Sequence, residues 1–342
     1  MSFRFTQVKR ICKPLDGMPA NCRLKRFLCF LVREWNENLH RPILFGMERT
    51  AVGLLFAFLS GAAGALYSLN YKFKERSAYP TDPVMFFFAL TFVLVTTVFR
   101  ISFGEPVYSR EALVLGIPFG ASMYLALRLY FVVARRAKLN ISWLIIQFSL
   151  LVPFSLSILV YRETLELQAI LGIVLIFSSI VFFALGKGSS AQGVAIPDAR
   201  TWVLLALSSL FSGISVSMPR IYVALSQTGE AFTLAFYQGL TLVVLSAGGL
   251  LLAWKDSRLK NGGGILLVAL SMGVTAVPAN AFITIAVKYL RGAVVYPLRS
   301  VVNILSVFVL SFLLFKERIR PLEAVGSGLA VVGIVLVSTI IS

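Results

Sequence analysis

Three arginines stand within long apolar stretches of the chain: Arg128, Arg220 and Arg299. A charged side chain at the centre of a bilayer costs at least ~2.5 kcal/mol on insertion scales. A guanidinium that faces a water-filled cavity avoids most of this cost, and its planar set of N–H donors fits a carboxylate or a phosphate with two parallel hydrogen bonds. These residues therefore predict a binding site for an anionic or zwitterionic molecule.

The alternative is that these side chains extend to the lipid headgroups, as long basic side chains near helix ends commonly do. This alternative applies most to Arg220, Lys288 and Arg291, which lie close to predicted segment ends. Arg128 and Arg299 lie deeper, and we expect neither to have an acidic neighbour. The residues alone leave both interpretations open.

Uncharged polar residues and prolines accompany the arginines in the same stretches. A proline kink frees a backbone carbonyl, and amide side chains can hydrogen-bond the polar groups of a bound molecule. Polar packing between helices would use the same residue types and is the alternative. The candidate substrate-binding residues are Arg128, Gln147, Arg220, Asn280, Tyr296, Arg299 and Asn303. The candidate structural or gating residues are Pro153, Glu163, Pro297 and Glu317, and we expect Glu163 and Glu317 to neutralise loop charge or cap the following helix.

The residues that enzymes use most for acid/base and metal chemistry are not found within the apolar stretches. All fifteen acidic residues lie in the N-terminal tail, in loops or within a turn of a predicted helix end. The single histidine, His40, and the cysteines Cys12, Cys22 and Cys29 lie in that tail. We therefore expect no metal site, no cofactor and no enzymatic activity. A membrane-embedded transferase that uses only arginine and serine is a minor alternative.

The composition is that of a membrane protein: 58% of the 342 residues are hydrophobic and 14% are charged, with a mean hydropathy of +0.85. Backbone amides in hydrocarbon must be satisfied within their own segment, so long apolar runs predict helices. The net charge is +17, but ten of the 32 basic residues precede Thr50 and most others lie at segment ends. That distribution favours lipid headgroups over nucleic acid as the partner.

The hydrophobic pattern predicts ten transmembrane helices, each close to the ~20 residues that cross a bilayer. Residues 1–48 form a basic tail with a possible helix on the membrane surface. Residues 49–185 hold five spans, residues 186–200 form a Gly/Ser-rich linker and residues 201–342 hold five more. The predicted spans are 50–69, 84–103, 112–133, 141–160, 168–185, 201–224, 231–254, 263–287, 293–314 and 322–341.

The fourth and fifth spans recur later in the chain at a constant offset of 154 residues. Ser157, Leu159, Glu163, Gly172, Leu175 and Ile180 correspond to Ser311, Leu313, Glu317, Gly326, Leu329 and Ile334. Such a duplication indicates two related halves. Because five is odd, the second half starts on the opposite side of the membrane. The predicted fold is therefore all-α, with ten transmembrane helices in two inverted five-helix repeats, an arrangement typical of alternating-access carriers.

The chain resembles the EamA-like ten-helix members of the drug/metabolite transporter superfamily. The resemblance rests on Leu159-Val160-Tyr161-Arg162-Glu163 followed by Gly172, and on Leu314-Phe315-Lys316-Glu317-Arg318 followed by Gly326. It implies a polytopic carrier of small metabolites with both termini in the cytoplasm. Related sugar-phosphate translocators carry an adjacent Lys-Arg pair late in the ninth helix. Here that stretch reads Ile304-Leu305-Ser306-Val307, so a phosphorylated sugar is less favoured as cargo.

Together these observations predict a secondary transporter of a small anionic or zwitterionic metabolite in the plasma or inner membrane. Its partners would be the small-molecule substrate and the lipid bilayer. A non-transporting membrane scaffold or sensor is the alternative. Small-residue pairs, Gly116 with Gly120 and Ala324 with Gly328, predict close helix packing, and the second pair could also support a homodimer.

Overall fold

The computed structural model describes residues 45–77, 79–134, 148–163, 167–188, 199–226, 229–252, 262–315 and 321–339. The described part of the chain is helical and contains no strand. Its α-helices are α1 (Phe45–Arg76), α2 (Thr81–Ser102), α3 (Arg110–Ala134), α4 (Leu151–Leu159), α5 (Leu167–Gly188), α6 (Ala199–Leu225), α7 (Ala231–Leu252), α8 (Gly262–Tyr289), α9 (Gly292–Phe315) and α10 (Pro321–Thr339). A short 3₁₀ turn, Phe148–Leu150, directly precedes α4. The predicted tail helix, Gln147 and Glu317 lie outside the described residues.

Two boundaries differ from the sequence prediction. α1 begins before residue 50 and continues past residue 69 to Arg76, because a helix can extend beyond the hydrocarbon with polar residues that a hydropathy pattern excludes. α5 continues to Gly188 and α6 begins at Ala199, so the connection between the halves is shorter than the predicted 186–200 linker.

Six described helices are long and apolar enough to cross a membrane. These spans are Arg49–Tyr71, Thr81–Ser102, Arg110–Val133, Ala199–Leu225, Ala231–Leu252 and Gly262–Tyr289. Shorter apolar helical segments occupy Ile170–Ser179, Gly292–Val307 and Ala324–Gly333. The chain is therefore an integral, multi-pass membrane protein.

The helices pack mainly between the two halves of the chain. α1 packs against α8 and α9, and α6, five helices later, packs against α3 and α4. α2 packs against α7 and α8, α7 also packs against α3, and α5 packs against α10. Each helix has a counterpart five helices away in the chain. When every helix is replaced by its counterpart, each packing pair becomes another pair of the same set or stays the same pair. The halves therefore interlock and bury their polar faces against each other.

Glycines allow two of these helices to approach closely. A methyl group added at Gly120 of α3 would lie 2.5 Å from the backbone oxygen of Gln238 and 2.6 Å from the Cβ of Thr241, both on α7. Gly116 contacts the same helix one turn earlier. The predicted packing role of this pair is confirmed. Close packing of α10 at Gly328 is not found within the described chain, because Gly328 is exposed and no described atom lies within 4 Å of an added methyl group, and the homodimer stays a prediction.

Replacement of Gly120 by alanine should destabilise the fold by about 1–3 kcal/mol, because the new methyl group meets rigid backbone and forces α3 away from α7. The measurement is the Tm of the purified protein in detergent. Gly248→Ala on α7 is the matched control, since nothing lies within 4 Å of the added methyl group there. Equal melting temperatures for the two variants would contradict the close contact.

Candidate functional site

A cavity of about 160 Å³ lies between the two halves, near the middle of α6 and α8. Its wall is formed by α1, α3 and the 3₁₀ turn before α4 from the first half, and by α6, α8 and α9 from the second. These two sets are exchanged by the same five-helix shift that relates the packing pairs. Tyrosine and serine side chains supply much of the wall, and its described lining contains one cation, Arg299, and no carboxylate.

The most polar face of the cavity belongs to α9. Tyr296, Arg299, Ser300 and Asn303 follow one another at spacings of three and four residues, which places them on one side of the helix. The Nε of Arg299, the phenol oxygen of Tyr296 and the Oδ1 of Asn303 are buried, and none has a hydrogen-bond partner among the described residues. Buried polar groups are normally paired, so this cluster has free capacity to bind a polar solute.

Close contact with α1 positions this face of α9. A Cβ at Gly61 would lie 2.7 Å from the backbone oxygen of Arg299, and one at Gly64 would lie 2.6 Å from the Nδ2 of Asn303. In turn, the Ser60 hydroxyl donates a hydrogen bond of 2.7 Å to the backbone oxygen of Ala279 on α8. The small residues of α1 therefore bring α8 and α9 together around the cavity.

Helix α1 also contributes residues that the sequence interpretation missed. Tyr67, Ser68 and Tyr71 line the cavity, and the Tyr71 ring lies 5.3 Å from that of Tyr130 on α3. The predicted first span ended at residue 69, which left Tyr71 in a loop. The duplication could have indicated α1. Arg220, a candidate binding residue, lies on α6, and α1 is the counterpart of α6 in the first half.

Of the candidate binding residues, Asn280, Tyr296, Arg299 and Asn303 meet at this cavity. Arg128 does not line it. Its Nη1 lies 2.5 Å from Asp82 Oδ1 and 2.9 Å from the Tyr124 hydroxyl. The expectation that Arg128 lacks an acidic neighbour is therefore wrong, because α2 and α3 both pack against α7 and this brings Asp82, in the first turn of α2, to Arg128.

Arg220 also lies outside the cavity wall and pairs with Glu163. The Nη2 of Arg220 lies 2.6 Å from the Oε1 of Glu163, and the two side chains are only 19% and 6% exposed. Glu163 also accepts hydrogen bonds from the backbone N–H of Gly292 at 3.2 Å and of Ala293 at 2.9 Å. The carboxylate therefore caps α9. The expectation that it caps the following helix is wrong, because the end of α4 lies beside the start of α9 and α5 starts elsewhere.

A second carboxylate from the first half caps a helix of the second half in the same way. Glu105, in the loop after α2, accepts hydrogen bonds from the backbone N–H of Thr233 at 2.7 Å and from its hydroxyl at 3.1 Å, at the start of α7. Burial raises the pKa of Glu105, and the Thr233 hydrogen bonds oppose this shift.

Burial likewise raises the pKa of Tyr161, and the nearby Arg220 guanidinium opposes this shift.

The two candidate prolines lie near the site but do not line it. Pro153 is buried in the first turn of α4, where a helix tolerates proline. Pro297 lies inside α9, between Tyr296 and Leu298. Gln147 and Glu317 lie outside the described residues, so their assignments stay predictions.

Residues 200–339 match the sequence model of the EamA-like transporter family. This match confirms, over residues 200–339, the resemblance stated from the sequence motifs. Among solved structures, one titled "Crystal structure of protein" aligns with a TM-score of 0.66 over 86% of this chain and 97% of the other, at 17% identity. That similarity shows a shared fold. No curated protein matches the chain.

Truncation of Glu163 to alanine should destabilise the protein by about 3–5 kcal/mol, because it leaves Arg220 buried without its counter-charge and uncaps α9. Glu163→Gln should cost less, since its amide oxygen can still accept from one of the two backbone N–H groups. Thermal unfolding in detergent measures both changes. Glu111→Ala is the control, because Glu111 is an exposed carboxylate in the first turn of α3. An equal Tm for Glu163→Ala and Glu111→Ala would contradict this role of Glu163.

Proposed function

We propose that the chain is a secondary transporter that moves a small organic anion or zwitterion by alternating access. The observation that carries the proposal is Arg299, a guanidinium with a buried, unpaired Nε in a cavity between the two halves. A family match and several apolar helices support a membrane transporter of the drug/metabolite type. The anionic or zwitterionic nature of the cargo and the alternating-access mechanism are what we propose beyond this.

The arrangement of the helices supports two inverted repeats. α1 runs parallel to α9, since Gly61 and Gly64 contact Arg299 and Asn303 in the same order. The end of α4 meets the start of α9, so these two helices run in opposite directions. α4 runs parallel to α6, since Val152 contacts Gly213 and Glu163 contacts Arg220. By these relations α1 and α6 run in opposite directions, which supports inverted repeats with a cavity between them.

The chemistry of the cavity favours a carboxylate as the charged group of the cargo. A guanidinium without a protein carboxylate binds an anion more strongly than it binds a neutral solute, and the Tyr296 hydroxyl and the amide of Asn303 can donate further hydrogen bonds. For a zwitterion, the ring faces of Tyr67, Tyr71 and Tyr130 can hold an ammonium group by cation–π interaction. A wet cavity also reduces the cost of keeping Arg299 charged in the membrane.

The size of the cavity limits the cargo. A cavity of about 160 Å³ is similar to the ~150 Å³ cavity that holds one benzene molecule. The conformation described therefore has room for a small organic acid or a small amino acid. We further propose that the protein resides in the plasma or inner membrane with both termini in the cytoplasm, as the ten basic residues before Thr50 suggest.

The test is transport by the purified full-length chain in liposomes. A thermal-shift screen of small carboxylates, amino acids and phosphate esters first selects a solute that raises the Tm. Arg299→Gln should then lower the uptake of that solute by about 100-fold, because a charge-assisted hydrogen-bonded pair of roughly 2–3 kcal/mol is lost. Arg299→Lys should retain part of the activity, since it keeps the charge and loses the bidentate geometry.

Arg110→Gln is the control for this experiment, since Arg110 is an exposed arginine at the start of α3. Its uptake should equal that of the unmodified protein. Full uptake by the Arg299→Gln protein would remove Arg299 from the binding site. A protein that exchanges none of the screened solutes in counterflow would instead favour the scaffold alternative.

A further inference from the structure

Arg299 is not the only guanidinium near the start of α9. Tyr296, one turn before Arg299 on the cavity-facing side of α9, is 1% exposed. Arg220 pairs with Glu163, whose carboxylate accepts hydrogen bonds from Gly292 and Ala293 about one turn before Tyr296. On α6, Val216 lines the cavity, and Arg220 follows it one turn later on the same side of the helix. Along α9, Tyr296 therefore lies between the carboxylate that holds Arg220 and Arg299, and Arg220 lies on the side of the cavity toward residues 161–163.

Arg220 retains free binding capacity although it pairs with Glu163. Only its Nη2 makes the 2.6 Å contact with the carboxylate. Its Nε is buried and has no hydrogen-bond partner among the described residues. The guanidinium also lies over the ring of Tyr161, 4.8 Å from the centroid, so the ring fixes its plane. An arginine can bind a second carboxylate oxygen through the donors that remain.

Glu163 has other partners that would hold it if Arg220 bound a different anion. The backbone N–H groups of Gly292 and Ala293 donate to its two oxygens at the positive end of the α9 dipole. A carboxylate in that position stays stabilised without the guanidinium. The Arg220 pair can therefore open without leaving Glu163 buried and unsatisfied, which would otherwise be strongly unfavourable.

Resting on the transporter function proposed above, we propose that Arg220 is a second anion subsite, between the central cavity and the side of the membrane where residues 161–163 lie. The carboxylate of the cargo passes from Arg299 past the Tyr296 hydroxyl to Arg220, where it displaces Glu163. Without such a subsite, an anion that left the cavity on this side would pass the Glu163 carboxylate with no cation available to bind it. With the subsite, the anion moves from the Arg299 guanidinium to the Arg220 guanidinium.

The experiment measures how fast charged thiol reagents reach the cavity, so it requires no knowledge of the cargo. Ser300, next to Arg299 on the cavity wall, is replaced by cysteine in full-length protein whose Cys12, Cys22 and Cys29 are replaced by serine. The protein is reconstituted in liposomes, and orientation is determined from the labelling of an Arg162→Cys variant. The probes are anionic 2-sulfonatoethyl methanethiosulfonate and cationic 2-(trimethylammonium)ethyl methanethiosulfonate, added on the side of residues 161–163.

We expect Ser300→Cys to react faster with the anionic reagent. Glu163→Gln should raise the anionic rate by at least about fivefold and leave the cationic rate within about twofold, because Arg220 is then free to bind the sulfonate. Adding Arg220→Gln to this variant should abolish the gain. Arg220→Gln alone should lower the anionic rate, so the test does not depend on the folding of any one variant. Asp82→Asn, which frees Arg128 away from the cavity, is the matched control and should change neither rate.

Two results would overturn the subsite while leaving the transporter proposal intact. In one, Glu163→Gln changes both rates by the same factor, which is the result expected if the pair only closes the structure. In the other, the anionic preference depends on Arg299 but is unaffected by Arg220→Gln. If Ser300→Cys reacts with neither reagent from either side of the membrane, the cavity is not on an aqueous path, and the proposed function fails together with the subsite.

Discussion

A guanidinium inside a membrane protein must face water or another polar group, because hydrocarbon offers neither hydrogen bonds nor screening. The structure meets this constraint differently at Arg128, Arg220 and Arg299. Arg128 and Arg220 reach carboxylates at the ends of neighbouring helices. Arg299 faces a cavity between the halves, with its Nε unpaired among the described residues. The position of that cavity follows from the interlocked packing of the two halves, and the proposed transport pathway depends on it.

Contacts between the halves also determine how the cavity could open. Glu105 and Glu163, both from the first half, cap α7 and α9 of the second half. Close glycine contacts, such as that of Gly61 with the backbone of Arg299, bring α1 against α9. Capping contacts can break and re-form at little cost when water reaches them, whereas backbone contacts at glycine allow little separation. Movement between two accessible states would therefore change the capped ends more than the glycine contacts.

The sequence predicted much of the fold because long apolar runs and a duplication are local or periodic signals. It also named Tyr296, Arg299 and Asn303 as candidate binding residues on the ninth span, and the structure shows that they share one face of α9. It could not predict that Asp82 pairs with Arg128, because 46 residues separate them and only the packing of α2 and α3 against α7 brings them together. For the same reason it assigned the Glu163 cap to α5, although the amides that bind Glu163 are about 130 positions away, on α9. The contribution of Tyr71 was missed because hydropathy ended the first span too early.

The proposed transport pathway requires that the second five-helix half is inverted in the membrane relative to the first, with a cavity between the two halves. The most direct test determines on which side of the membrane α1 begins and on which side its counterpart α6 begins. Arg49→Cys near the start of α1 and Ala199→Cys at the start of α6 are both exposed positions. Each is placed in the cysteine-free protein and treated with a membrane-impermeant maleimide in intact and permeabilised vesicles. Labelling of the two positions from opposite sides of the membrane is the predicted result, and labelling of both from the same side would contradict the inverted arrangement.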